Sequence, residues 1–412
     1  PILQNHPQFL QTLRDEAING SLTIKKIDEL RSMIIRFYLQ QGYPFVEVVV
    51  PEQPALGYLQ IIVAESKLGV VKTEGNRYFS DQALISHISC ESGHQIHLPS
   101  LLNDLDWLNR NPFRRSEAIF TPGEDPGTTN IILKTVDRRP ILIYGGADNT
   151  GTTETGYARF YGGFRCGNLF ELGQLFSYQF TSSSTVSQFQ SHALNYQIPL
   201  AWKNYLNFFG GWSRTKPDFE HPHMHSEGTS WQVSTRYEIP LHHNPKFAQT
   251  LLAGADFKRT NNDLAFGGER IIHHLIDIAQ LMVGWDMGGV AKICEWFLSA
   301  EIYGSPGHFD SNNTTKEFKK LQPGAVATYF YSWANLGSTF NLPRCWHIAM
   351  NGTGQYANQN LLPSEQLELG GYFSVRGYPE HSVNVDDGCF FNTELQTPNF
   401  SILQLFKKKW KK

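Results

Sequence analysis

The residues best placed to do chemistry lie near the C-terminal end, where Gly370-Gly371-Tyr372-Phe373-Ser374-Val375-Arg376-Gly377-Tyr378 sets three glycines around one arginine. A guanidinium is charged at every physiological pH and offers a fixed fork of donors, while glycine lets the backbone bend where other residues clash. An exposed surface loop seldom needs either property. The block follows Leu361-Leu362-Pro363-Ser364-Glu365-Gln366-Leu367-Glu368-Leu369, precedes Asp386-Asp387-Gly388, and stands between two alternating stretches.

Other clusters carry less. His221-Pro222-His223-Met224-His225 spaces three imidazoles by two, which on an extended chain aims them to one side as metal ligands could be. No fourth ligand accompanies them, so the segment reads as a polar external loop and no metal is expected. The adjacent pairs His242-His243 and His273-His274 point to opposite faces of a strand. There is no P-loop, GxSxG elbow, HExxH or paired CxxC, so neither an enzyme nor a bound cofactor is expected. Five scattered cysteines, Cys90, Cys166, Cys294, Cys345 and Cys389, form neither a zinc pattern nor a disulfide framework and read as free thiols.

Composition narrows the partner. A net charge of −3 argues against nucleic acid, and the one basic cluster is Lys407 to Lys412. Only 18% of residues are charged, against about 25% in soluble domains, while aromatic residues reach 13% with 28 Phe. That balance suits a transmembrane barrel, which needs few charges on its lipid face and aromatic girdles at its rims. No stretch approaches the ~18 apolar residues of a membrane helix, so any span must be built from strands.

In the first third, Leu22, Ile24, Ile27, Leu30, Ile34, Ile35, Tyr38 and Leu39 recur at helical spacing, and Gly42 with Pro44 ends that helix. Val46, Val48 and Val50 then alternate as a strand, with another over 59–63. A second unit opens with a strand over 68–72 and a turn at Gly75-Asn76. Ser80-Asp81 caps a helix through His87, a second helix spans 98–108, and strands follow over 117–120 and 130–136. After Asp137-Arg138-Arg139-Pro140 the texture changes to strands with no helical stretch between them. Leu194, Tyr196, Ile198 and Leu200 alternate with Asn195 and Gln197; Trp231, Val233, Tyr237 and Ile239 with Gln232, Ser234, Arg236 and Glu238; Leu336, Phe340 and Leu342 with Asn335, Thr339 and Asn341. About twelve such segments occur, near 140–148, 155–166, 173–182, 186–200, 204–215, 228–241, 249–261, 270–286, 289–304, 325–342, 345–357 and 388–397. Several exceed the ~3–10 residues of globular strands, which tells against a soluble sandwich.

The extended block around Val375-Arg376-Gly377-Tyr378, the strand Phe390 to Leu395 and Pro398 together resemble the signature of two-partner secretion transporters, the TpsB family of haemolysin-activator type. So do the hairpin from Asp148 to Gly156 and Tyr196-Gln197-Ile198-Pro199-Leu200, while the strand–helix–helix–strand–strand order resembles a POTRA module. The resemblance implies N-terminal α+β POTRA-like modules followed by an antiparallel transmembrane β-barrel in the bacterial outer membrane. The expected domains are POTRA-like module 1 at 1–66, lacking its opening strand, module 2 at 67–139, and a barrel at 140–412 with the motif loop at 361–387. The POTRA modules, in the periplasm, would capture an unfolded secreted polypeptide by strand addition. The barrel, as a monomer in outer-membrane lipid, would conduct it outward. An outer-membrane protein assembly factor shares this architecture but usually has more POTRA units, and a simple porin-like channel needs no N-terminal third.

The family pattern places Val375-Arg376-Gly377-Tyr378 at the tip of a loop folded into the barrel, with Arg376 latched to an aspartate on a later strand and Gly370 and Gly371 permitting the bend. Members carry sixteen strands. Here the chain reaches Leu403-Gln404-Leu405-Phe406 and turns into lysines, so the acceptor aspartate and about four strands are expected to be missing, as is the signal peptide before Pro1. Substitute acceptors for Arg376 are then Glu394, in the strand after the loop, and Glu301, two strands before it, because a buried guanidinium needs a partner.

Overall fold

A computed structural model describes residues 2–18, 22–53, 58–152, 155–218, 224–241, 247–266 and 269–399, with the backbone alone at 224–225, 262–266 and 269–274. The chain divides into two units, Pro1–Arg139 and Pro140–Lys412.

In the first unit, helices α1 (Pro7–Ile18) and α2 (Ile24–Gln40) precede strands β1 (Val46–Val49) and β2 (Ile62–Glu65). The Thr23 side chain starts α2 by accepting the Lys26 N–H at 3.3 Å. Leu30, Ile34, Phe37 and Tyr38 form its buried stripe, and the last three pack with Val48. Gly42 ends the helix at φ +84°, with His97 and Pro99 packed where a side chain would begin. Sequence periodicity placed no helix over α1, although Phe9 and Leu13 are four apart and Phe9 stacks on Phe37 with ring centroids 4.1 Å apart.

The strand expected over 59–63 forms instead over β2, pairing Val46 with Glu65 and Val49 with Ile62. The reason is local. The Gln53 side chain takes both backbone groups of Gln60, accepting its N–H at 2.7 Å and donating to its C=O at 3.0 Å, which removes that residue from the ladder.

The rest of this unit comprises β3 (Lys67–Glu74), α3 (Asp81–Ile85), α4 (Leu98–Asn109), β4 (Arg114–Pro122) and β5 (Thr128–Asp137). The sheet runs β3-β5-β4, with β3 and β5 parallel and β4 antiparallel to β5. Leu68, Leu84, Leu101, Leu108, Ile131 and Leu133 are fully buried between sheet and helices. One Asp137 carboxylate oxygen accepts the N–H groups of Arg77, Tyr78 and Phe79 at 2.7–3.1 Å, closing the turn after Gly75 onto the end of β5.

Among the described residues the second unit is a twelve-stranded antiparallel meander. Its strands are β6 (Ile141–Asp148), β7 (Arg159–Leu169), β8 (Gln174–Ser183), β9 (Phe189–Pro199), β10 (Tyr205–Thr215), β11 (Met224–Pro240), β12 (Phe247–Phe266), β13 (Glu269–Val290), β14 (Cys294–Ser305), β15 (Tyr329–Leu342) and β16 (Trp346–Ala357). Two three-residue strands, β17 (Leu367–Leu369) and β18 (Val383–Val385), pair within the next connection, and β19 (Gly388–Gln396) returns beside β16.

Alternation sorts the faces. Val283, Ile302, Leu336 and Leu395 stand exposed on one side, where the neighbouring rings of Phe176 and Tyr196 and of His192 and Trp212 lie half-buried. On the other, Asn335 bonds Thr353 at 2.7 Å and Arg236 forks onto Asp256 at 2.6 and 3.0 Å. Tyr237, on the apolar side, accepts from Trp202 and Asn204 of the β9–β10 turn at 2.7 and 2.6 Å.

One expectation fails: the strands are not free of helix. The β14–β15 connection carries α5 (Thr315–Leu321), capped by Thr314. Its single buried residue, Phe318, inserts among Ile276 and Ile278 of β13, Tyr329 and Tyr331 of β15, and Leu361 and Leu362. Seven residues with one anchor are helical through tertiary packing rather than through periodicity. Asn313, fully buried, donates to the Asp277 C=O at 2.7 Å where β13 runs past the end of β14.

Candidate functional site

The segment 358–387 folds back against the polar face of the sheet, touching strands far apart in the meander. At its start, Leu361 and Leu362 are buried under Phe318. The backbone then turns through Pro363-Ser364-Glu365, and the Glu365 carboxylate, with 0% of its side chain exposed, accepts from Lys258 Nζ of β12 at 2.8 and 3.0 Å. Tyr331 of β15 donates to it at 3.0 Å and Ser364 at 3.1 Å. Gln355 of β16 holds the main chain, donating to the carbonyls of Glu365 and Asp386 at 3.0 and 3.2 Å.

The outgoing limb is stitched to the incoming one. Asp386 accepts the Leu361 N–H at 2.8 Å and the Gln366 amide at 2.9 Å, while Asp387 accepts the Ala357 N–H at 2.5 Å. Between these limbs the β17–β18 ladder makes a short stiff arm. At its far end Gly371 has φ +90°, and the Glu380 carboxylate fills the place of a Cβ while accepting the Tyr372 N–H at 3.0 Å. Only glycine fits there. Ser374 Oγ closes the bend, accepting the Gly370 N–H at 2.8 Å and donating to the Gly370 C=O at 2.7 Å.

Arg376 sits at this tip. Its Nη1 lies 2.6 Å from Glu394 of β19, its Nε donates to the Tyr372 C=O at 3.3 Å, and its guanidinium stacks 4.9 Å from the Tyr372 ring centre. Asn392, two residues from Glu394, donates to the Ser374 C=O at 2.8 Å. Of the two acceptors reasoned from the sequence, Glu394 meets the guanidinium; Glu301 instead accepts from Tyr303 at 2.6 Å. Gly377 has φ +94°, Val375 is half-buried and Tyr378 is exposed. The tip and the β6–β7 hairpin line one cavity of about 730 Å³, between Tyr372, Tyr378 and His381 on one side and Asn149, Thr152 and Tyr157 on the other. Strands at both ends of the meander thus approach one loop, so the sheet curls around it.

Sequence reasoning missed the Lys258–Glu365–Tyr331 cluster. A signal existed, since Lys258 shares the polar face of β12 with Asp256, two residues away, but nothing local pairs it with a residue 107 positions on. His221 and His223 lie outside the described residues, as do His242-His243 and the run from Leu403; His225 and His273-His274 are described by backbone alone. All five cysteines are free of disulfides.

The first unit carries a cleft of about 770 Å³, lined by Leu10, Leu13, Ile34, Tyr58 and Ile61, with Glu65 at its polar side. The Tyr38 hydroxyl donates to Glu65 at 2.6 Å, and burial together with this carboxylate raises the tyrosine above its ordinary pKa. Glu65 is lowered, its burial being outweighed by the hydrogen bonds it accepts. Among the described residues no group of three or more His, Cys, Asp or Glu could hold a metal ion.

Residues 127–409 match the family described as Haemolysin secretion/activation protein ShlB/FhaC/HecB, and residues 4–66 match the POTRA domain, ShlB-type. The chain is 23% identical over 396 residues to Outer membrane transporter CdiB of Dickeya dadantii (strain 3937), covering 92% of this chain and 67% of that protein. It is 22% identical over 381 residues to Hemolysin transporter protein ShlB of Serratia marcescens, covering 90% and 66%. Among solved structures, CdiB from Escherichia coli superimposes with a TM-score of 0.80 at 19% identity, covering 95% of this chain and 73% of that one. The chain thus spans about two thirds of the length of the curated relatives it matches.

Proposed function

The chain belongs to the haemolysin secretion/activation protein family ShlB/FhaC/HecB, and from that premise we propose that it translocates a secreted exoprotein across the bacterial outer membrane by two-partner secretion. Its family is one of transporters rather than enzymes, seated in the outer membrane with POTRA modules in the periplasm. The observation that carries the reading is the 358–387 segment, held against the polar face of a curled twelve-stranded sheet that follows a POTRA domain in the sequence.

The finer assignments are ours. Residues 67–139 act as a second POTRA-like module, supported by the β3-α3-α4-β4-β5 order and the parallel β3–β5 pair. The two modules capture the unfolded substrate, and open strand edges suit strand addition. The apolar side of the sheet faces outer-membrane lipid, the protein works as a monomeric barrel, and Arg376 with Gly370, Gly371, Val375, Gly377 and Tyr378 forms the tip of the transport loop.

The test is export. With the chain produced in the outer membrane of a heterologous host, an exoprotein encoded beside it should reach the medium, and deletion of residues 1–139 should leave it in the periplasm. Equal release with and without the chain would sink the transport reading.

A further inference from the structure

We infer that Glu365, clamped by Lys258, is the principal positioning residue of the transport loop, and that the Arg376 contact at the tip is secondary. The inference rests on the transporter reading for what the loop's position serves, but the clamp itself stands on geometry.

Among the described residues two ion pairs tie the loop to the wall, and they differ in burial. The Arg376 and Glu394 side chains are 56% and 38% exposed, so water competes for both. The Glu365 side chain is 0% exposed and that of Lys258 21%. Lys258 reaches both carboxylate oxygens, and Tyr331 and Ser364 add donors, so the buried anion is fully provided for. A buried pair adds little net stability over an apolar substitute, but removing one member strands the other, which fixes a register strongly.

Among the described residues Lys258 has no carboxylate partner besides Glu365. On the same face Asp256 is bound by Arg236 and Gln280, and on the opposite face Asp277 is bound by Arg259. The clamp also bridges elements that the β16–β19 ladder does not. It joins the loop's entry to β12, four places from β16 in the strand order, next to the Phe318 cluster that roofs Leu361 and Leu362. Shifting the loop therefore requires breaking Lys258–Glu365, whereas the tip can slip from Glu394 while the entry stays fixed.

The test uses the full chain in lipid vesicles, its five cysteines replaced by serine, with Leu362→Cys as a buried reporter labelled by a water-soluble maleimide. Lys258→Met should raise the labelling rate at least about tenfold, and the double variant Lys258→Glu with Glu365→Lys should return it to within about threefold of the parent. Arg376→Ala should leave it within about twofold. If Lys258→Met alone does not fold, a double variant that folds and labels slowly is itself the rescue. An unchanged rate in Lys258→Met, a double variant no slower than the single, or Arg376→Ala labelling as fast as Lys258→Met would each overturn the clamp. Export is scored separately: if labelling behaves as expected in a chain that exports nothing, the clamp stands and the transporter reading falls.

Discussion

Arg376 and Glu394 meet at 2.6 Å across the gap between the loop tip and β19, both open to solvent. Such pairs contribute about 0–1 kcal/mol. Arg376→Ala should therefore shift stability by no more than that and change single-channel conductance little. Loss of all export in Arg376→Ala, with the loop still in place by labelling, would mean that the arginine acts on substrate rather than on β19.

The two faces of the sheet should answer differently to charge. Leu336→Lys, on the exposed apolar side of β15, should cost about 2–4 kcal/mol in lipid, whereas Asn335→Lys on the polar side should cost clearly less. Urea titration of folding into lipid vesicles reads both. Equal costs would show that the apolar side does not face lipid.

Phe318→Ala removes the one buried side chain of α5. Its packing loss, about 3–5 kcal/mol, should be confined to the β14–β15 connection, because α5 contributes nothing to the strand ladders. Limited proteolysis should then cut within 306–328 while the rest of the second unit stays protected. Loss of the whole sheet instead would show that this roof is needed for folding.

In the first unit, Asp81 lies below its ordinary pKa, held there chiefly by the Thr73 hydroxyl and then by the Asn76 amide, the latter at 2.7 Å. A carboxyl depressed on folding adds stability above its unfolded pKa of about 3.9, and that contribution disappears as pH falls through the folded value. Hydrogen-exchange protection of α3, corrected for intrinsic rates, should weaken on acidification, and less so in Asp81→Asn. Identical acid responses in the two would remove Asp81 as the cause.

All twelve strands of the large sheet were legible because alternation is a local property: Leu336 between Asn335 and Gly337 announces its face without reference to any partner. The element order over residues 67–139 was equally open to reading, with Ser80 capping α3 and Gly75 turning at φ +85°. What could not be read depends on distance. Phe318 makes α5 a helix by reaching β13, and Glu365 finds its cation 107 residues away. The motif drew attention to Arg376 because its glycines are conspicuous, while the better-held anchor hides eleven residues earlier in a run of ordinary composition.

The loop's feet belong to adjacent strands, β16 and β19, and its two limbs are laced by Asp386, Asp387 and the β17–β18 ladder. Mechanically this is a lever rather than a tether. Once the tip has slipped from Glu394, a further push is not absorbed along the arm; it arrives as torque at the rung joining Gln355 to Gly388, where Gln355 also grips the Glu365 and Asp386 carbonyls beside the Lys258 clamp. Displacing the arm and prising open the top of that seam are then one movement about one fulcrum.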